Sequence, residues 1–180
     1  SRGAKTLDWT VPDVFEQELF EKYGTPSLLE EARALKLEVK APDVNASGYM
    51  FYALDSKTVR YGLGAVKGVG RGACEAIYEE RQRGGAFTDL LDFCKRVDSG
   101  KLNRRVLEAL ILAGGMDSLG NNRASLMQQL PEVIRATEQL ARERDAGQSS
   151  LFGGSATPEI HIERVQVNDW PLEQKLNGER

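Results

Sequence analysis

Apolar positions along this chain recur every three or four residues, with glycine pairs between the runs and one stretch of alternation. Residues 11–23 have helical spacing, and Pro12 falls in the first turn, where its missing N–H is tolerated. Thr25, Pro26 and Ser27 open a second predicted helix whose face is Leu28, Ala32, Leu35 and Leu37, and Pro42 ends that unit. Residues 48–54 and 58–63 are aromatic and β-branched runs on either side of the polar turn Asp55, Ser56, Lys57, which predicts a β-hairpin. Helical spacing then returns. One helix runs from about Arg71 to Arg83 and stops at Gly84 and Gly85. A short one carries Leu90, Leu91, Phe93, Cys94 and Val97, with Thr88 as its N-cap. A third covers residues 102–112 and halts at Gly114 and Gly115, and a long run follows in which Leu126, Leu130, Val133, Thr137 and Leu140 recur. The expected fold class is mainly α with a small β-hairpin.

Residues 61–77 organise the rest. A short apolar turn (Leu63, Ala65, Val66) meets Lys67, Gly68, Val69 and Gly70, and an amphipathic run begins at Arg71, giving helix, hairpin, helix. So tight a reversal needs backbone at positive φ, which glycine supplies, and bare Cα atoms let a partner approach the main chain. The hairpin delivers the N-terminus of the next helix, whose unpaired N–H groups and dipole suit a phosphate without reading bases. Lys67, Gly68, Val69, Gly70 and Arg71 are therefore candidate contacts to a nucleic-acid backbone. The alternative is a glycine turn that only lets two helices pack. Residues 102–140 repeat the arrangement more loosely: the turn Gly114, Gly115, Met116, Asp117 lacks the Gly-x-Gly order and brings in an acid. Its best candidates for backbone contacts are Arg104, Arg105 and Arg123, against the alternative of a solvated helix face. The aromatics of the β-hairpin, near a basic loop, invite comparison with a stacking platform for bases, but alternation is first of all a buried face.

Charge supports this placement. The net charge of −3 hides a basic middle: residues 57–144 carry 15 Lys/Arg against 11 Asp/Glu, while 1–56 carry 6 against 10 and 145–180 carry 3 against 6. Nucleic-acid affinity follows local basic surface, so an acidic whole does not exclude it. Two cysteines (Cys74, Cys94) in apolar patterns and a single histidine assemble no metal-ligand set and suggest buried thiols in a reducing compartment. No apolar run approaches the roughly 18 residues that cross a bilayer, and no signal peptide opens the chain, so a cytoplasmic address without membrane contact is the expectation.

Past Arg144 the composition becomes small and polar, as in a flexible linker, with Leu151 and Phe152 embedded side by side. Two apolar anchors and a preceding glutamine suit insertion into another protein's groove. The alternative is that the pair folds back on its own domain.

Four blocks in order carry a family resemblance: residues 42–47 (PDVNAS), 61–70 (YGLGAVKGVG), 102–111 (LNRRVLEALI) and 115–120 (GMDSLG). Together they resemble the alpha subunits of bacterial DNA polymerase III, the C-family of replicative polymerases, from about residue 27 to 180. The resemblance implies a tandem helix-hairpin-helix domain with a flexible C-terminal segment: residues 1–41 as a helical end of the fingers, 42–144 as the β-hairpin and DNA-binding hairpins, 145–157 as the linker, and 158–180 as an extended segment leading to a further domain. It implies that Gly68, Val69 and Gly70 touch the backbone of double-stranded DNA, and that Gln148, Ser149, Ser150, Leu151 and Phe152 are the internal peptide that binds the sliding clamp (beta subunit). It also implies contact with the remainder of the polymerase and replisome. The family's catalytic aspartates lie in the palm, upstream of this stretch, so neither a catalytic residue nor a cofactor is expected here; the Mg²⁺ that the parent polymerase is implied to use belongs there. The readings to separate from this one are a DNA-repair or recombination module using the same hairpins without a clamp, a nuclease or lyase, for which no carboxylate or His cluster speaks, and a purely structural module.

Overall fold

The computed structural model describes residues 30, 32–120, 122–148 and 167–178. Ala32 to Ala34 are helical, and the turn closes at Lys36, which takes a left-handed backbone (φ 55°) while the Leu37 N–H returns to the Ala32 carbonyl at 2.9 Å. That i to i−5 closure is a Schellman-type stop. It corrects the sequence expectation, which carried the helix through Leu37: the chain instead enters strand β1 (Glu38–Lys40). The predicted hairpin is present as β2 (Tyr52–Ala53) and β3 (Thr58–Arg60), antiparallel with Tyr52 opposite Arg60. β1 joins β3 in parallel, Val39 opposite Val59, so the hairpin becomes a three-stranded sheet in the order β1-β3-β2.

Helices α1 (Arg71–Gly84), α2 (Leu90–Arg96), α3 (Arg104–Leu112) and α4 (Arg123–Gln148) follow, and α5 (Leu172–Gly178) lies beyond. The first four bury apolar faces: Ala73, Cys74 and Ile77 from α1, Val106, Leu107, Leu110 and Ile111 from α3, and Leu126, Leu130 and Val133 from α4 meet in one core with Phe93 of α2. Burial of each large side chain contributes about 1.5–3 kcal/mol, which sets helix packing above local propensity. The Phe87 ring meets Phe93 edge-on at 4.8 Å. α2 starts one residue later than its sequence suggested. Asp89 is the cap, accepting from the Asp92 N–H at 2.8 Å, while the Thr88 N–H donates back to Asp92 at 3.0 Å. Arg96 binds the end of α2 to the end of α1, reaching Glu80 and Asp92 (each 3.1 Å) and the Gly85 carbonyl (2.8 Å) above the Phe87 ring.

Two stretches differ from their sequence reading. α4 continues to Gln148, so its last residues occupy the start of the segment read as linker. Residues 172–178, within the segment read as extended, are helical: Pro171 stands at the entry, where its lack of an N–H is harmless, and Leu-Glu-Gln-Lys-Leu are good helix formers.

The polar residues of the turn 43–47 join the parts. Asn45 pairs both ways with Phe87, donating to its carbonyl at 3.0 Å and accepting its N–H at 2.7 Å. Val44, fully buried, donates its N–H to the Gly115 carbonyl, Ser118 donates to Asp43, and Ser47 donates to the Tyr61 carbonyl. Arg81 of α1 donates to the Val44 and Ser47 carbonyls. One short turn thus holds both glycine hairpins and the loop between α1 and α2.

Candidate nucleic-acid interface

In the first hairpin a 3-10 turn (Leu63–Ala65) leads through Val66 and Lys67 to Gly68, at φ 90°, and then to Gly70, which precedes α1. A side chain at Gly68 would be strained in that conformation. Lys67, Gly68 and Gly70 are exposed, and Arg71 is half-buried, its guanidinium on Glu75 (2.8 Å) and over the Tyr49 ring (5.9 Å). Val69 is different. Its side chain is 5 % exposed, within the core, and its N–H donates to the Val66 carbonyl at 3.0 Å. Val69 therefore anchors the loop from inside, and the surface open to a ligand is made by its neighbours. No side chain caps α1: Gly70 has none to offer, and space lies open around it. The positive end of the dipole is thus left open at Gly70, while the Ala73 N–H of the first turn returns to the Gly70 carbonyl at 3.1 Å.

The second hairpin turns through Gly114, at φ 81°, and a 3-10 turn (Asp117–Leu119) before α4. Arg123, expected on the sequence to reach a phosphate, is turned inward instead: it is 7 % exposed, with Nε and Nη2 on the Asp117 carboxylate (3.0 Å each) and Nη1 on the Leu112 carbonyl (3.1 Å). The acid at this turn has its explanation here, as the counter-charge of a buried arginine. Asn122 caps α4, accepting the Ser125 N–H at 2.8 Å. Val167 lies across the same end, accepting from Asn122 Nδ2 and donating to Ser125 Oγ. Asp169 follows. Its hydrogen bond with Lys175, together with smaller contributions from the Trp170 and Ala124 N–H groups, holds its carboxyl below the usual range. A carboxylate of this chain thus already stands at the positive end of α4.

Arg104 and Arg105 open α3 behind the Asn103 cap. Arg104 is exposed and paired with Glu108 at 2.7 Å. Arg105 is exposed, and Ala109, one turn on, carries the atom nearest to Gly68: a Cβ at Gly68 would stand 3.9 Å from the Ala109 methyl. Residues four apart share a helix face. Arg105 therefore shares the α3 face that Ala109 turns toward the first hairpin, although the sequence grouped it with the second. Of the peptide 148–152, Gln148 ends α4, and Ser149, Ser150, Leu151 and Phe152 lie outside the described residues. Phe51 and Tyr61, both half-buried, pack against each other at 4.6 Å, and half-buried Tyr49 covers Gly64.

Other chemistry finds little purchase. Burial pushes the Cys74 and Cys94 thiols up to about 12, so both stay protonated near neutral pH. Among the described residues no group of three or more His, Cys, Asp or Glu could hold a metal ion. No described helix is long and apolar enough to cross a membrane. Sequence reasoning missed the linking role of Asp43, Asn45 and Ser47; the signal was available, since such residues hydrogen-bond nearby backbone and favour turns.

A glycine hairpin presenting a helix N-terminus, twice in one core, defines the class. The chain belongs to the helix-hairpin-helix family, whose motif model matches residues 36–126. Its relatives are DNA polymerase III alpha subunits: that of Xylella fastidiosa (Temecula1) is 58% identical over 154 residues, which are 84% of this chain and 13% of the relative. Those of Pseudomonas aeruginosa (44% over 172 residues, 86% of this chain, 15% of the relative) and Escherichia coli K12 (43% over 155 residues, 85% and 13%) are similar in the same way. The chain thus spans about one seventh of the length of the relatives it matches.

Proposed function

We propose that this chain serves DNA replication as the tether of a polymerase, gripping duplex DNA by its phosphate backbone through the first hairpin and holding the sliding clamp through Gln148, Ser149, Ser150, Leu151 and Phe152. The observation that carries the DNA half is the open end of α1: Gly68 at positive φ, an exposed and uncapped helix start, and exposed Lys67 beside it. Such a site meets phosphate without regard to base sequence, which a replicative enzyme needs. Gly68, Gly70 and Arg71 supply backbone donors, Lys67 and Arg105 supply charge, and Arg123 is assigned to the fold. The clamp half rests on the sequence of the peptide, with Leu151 and Phe152 as apolar anchors and Gln148 fixing register. Two weak contacts on one chain raise each other's effective concentration, so neither has to be tight. Polymerisation itself, and its Mg²⁺, belong to other parts of the parent enzyme.

Two titrations of this chain test the reading. Against a labelled duplex of random sequence, binding is expected to be sequence-independent and to weaken steeply with salt. Against a bacterial sliding clamp, binding is expected that the double variant Leu151→Ala, Phe152→Ala abolishes. DNA binding without clamp binding would return the chain to a repair-type module, and absence of salt-dependent DNA binding would leave a structural one.

A further inference from the structure

We propose that Lys101, in the loop between α2 and α3, is a phosphate contact of the same DNA site and forms with Arg105 a second bank of charge beside Lys67. The inference rests on the first hairpin's DNA contact. Lys101 is far from that hairpin in sequence, but the aliphatic stem of Lys101 lies against the first turn of α1: a Cβ at Gly72 would stand 3.7 Å from its Cδ. The loop holds this placement through its backbone, the Lys101 N–H donating to the Asp98 carbonyl at 3.0 Å and the Gly100 N–H to Asp98 Oδ1 at 2.9 Å.

The ion pairs of the helical surface leave these three cations open, as they do Lys95 of α2. Arg71, Arg83, Arg104 and Arg142 each reach a carboxylate on their own helix. Lys67, Lys101 and Arg105 are exposed, and among the described residues their charged groups form neither an ion pair nor a hydrogen bond. Glu75, Glu79, Glu80 and Asp98 line the same groove as Lys101; Glu75 is held by Arg71, Glu80 by Arg83 and Arg96, and Asp98 by the Gly100 N–H, while Glu79 is exposed and forms no ion pair among the described residues. Lys67, Lys101 and Arg105, from three segments around Gly68 and Gly72, form no ion pair among the described residues, and an external anion lying between them would relieve their mutual repulsion. The phosphates of duplex DNA, closely spaced and singly charged, are such an anion array.

The test is the salt dependence of duplex binding by the whole chain and its variants. Each lost phosphate contact lowers the slope of log K against log salt by about 0.9, which makes binding about eightfold weaker at 0.1 M salt relative to 1 M. Lys101→Ala is expected to show that loss, Lys101→Arg to keep the slope, and Arg142→Ala, which removes an equal charge from the far part of α4, to leave it unchanged. The melting temperature of Lys101→Ala should match that of the parent chain, because the ammonium makes no bond in the fold. If Lys67→Ala loses slope and Lys101→Ala does not, the Lys101 contact is overturned while the first hairpin stands. If the parent chain shows no salt-dependent binding, both are overturned.

Discussion

The two hairpins share a plan and differ in what occupies the helix start that each presents. At the first, Gly70 leaves the N-terminus of α1 uncapped, and Lys67, Lys101 and Arg105 form no ion pair among the described residues. At the second, Asn122 caps α4, Val167 crosses it, the Asp169 carboxylate stands nearby, and Arg123 is spent on Asp117 and the Leu112 carbonyl. The same backbone turn is therefore left open in one place and filled by the chain's own groups in the other. Positive-φ glycine makes the reversal in both (Gly68, Gly114), so the turn by itself does not assign function. What assigns it is whether the freed donors and charges are satisfied within the chain.

The largest way to break this comparison is Arg123→Ala. Removing the guanidinium strands the Leu112 carbonyl, releases Asp117 and leaves space over Gly114, where a Cβ would collide with Arg123 Nη2. A cost of about 3 kcal/mol is expected from urea unfolding, discounted because half-exposed Asp117 can recover water. The salt slope of duplex binding should stay as it was. A slope reduced by about one with stability intact would instead make Arg123 a phosphate contact and the two hairpins equivalent.

A smaller effect is expected from Asn45→Ala, which acts on the link between the hairpins. The change leaves the Phe87 N–H and carbonyl without their partner, for about 2 kcal/mol. Because Asp43 and Val44 hold the second hairpin and Ser47 and Arg81 the first, amide exchange should quicken in both hairpins together. Quickening confined to one would show that they are held independently.

Much of this arrangement was legible in the sequence, and the reason differs by part. Helices came from apolar spacing, since one buried stripe per helix is what the core requires. β1 did not, because three residues paired to a distant strand have no local signature: Glu38 meets Thr58 only through tertiary structure. Gly68 was legible because the backbone conformation demands glycine. Arg123 was not distinguishable from Arg105, since a surface arginine and a buried one look alike until Asp117 is seen to fold back six residues onto it. Lys101 was silent for the same reason, its neighbour Gly72 being supplied by another helix.

The finest test converts the first hairpin toward the second. Gly70 has extended backbone (φ −78°, ψ 163°), and a Cβ there meets nothing within 4 Å, so Gly70→Asp is sterically free. Aspartate at an N-cap accepts a first-turn N–H and sets a negative charge against the positive end of the dipole, for a gain of about 0.5 kcal/mol over glycine. Thermal melting should rise slightly. Duplex affinity should fall at every salt concentration, because the donors meant for phosphate are now filled and a carboxylate repels what they held, as Asn122 and Asp169 do at α4. Gly70→Ala, which adds the Cβ without the charge, should leave most of the affinity in place. If the aspartate variant gained stability and bound DNA as before, the open end of α1 would be an uncapped helix and nothing more.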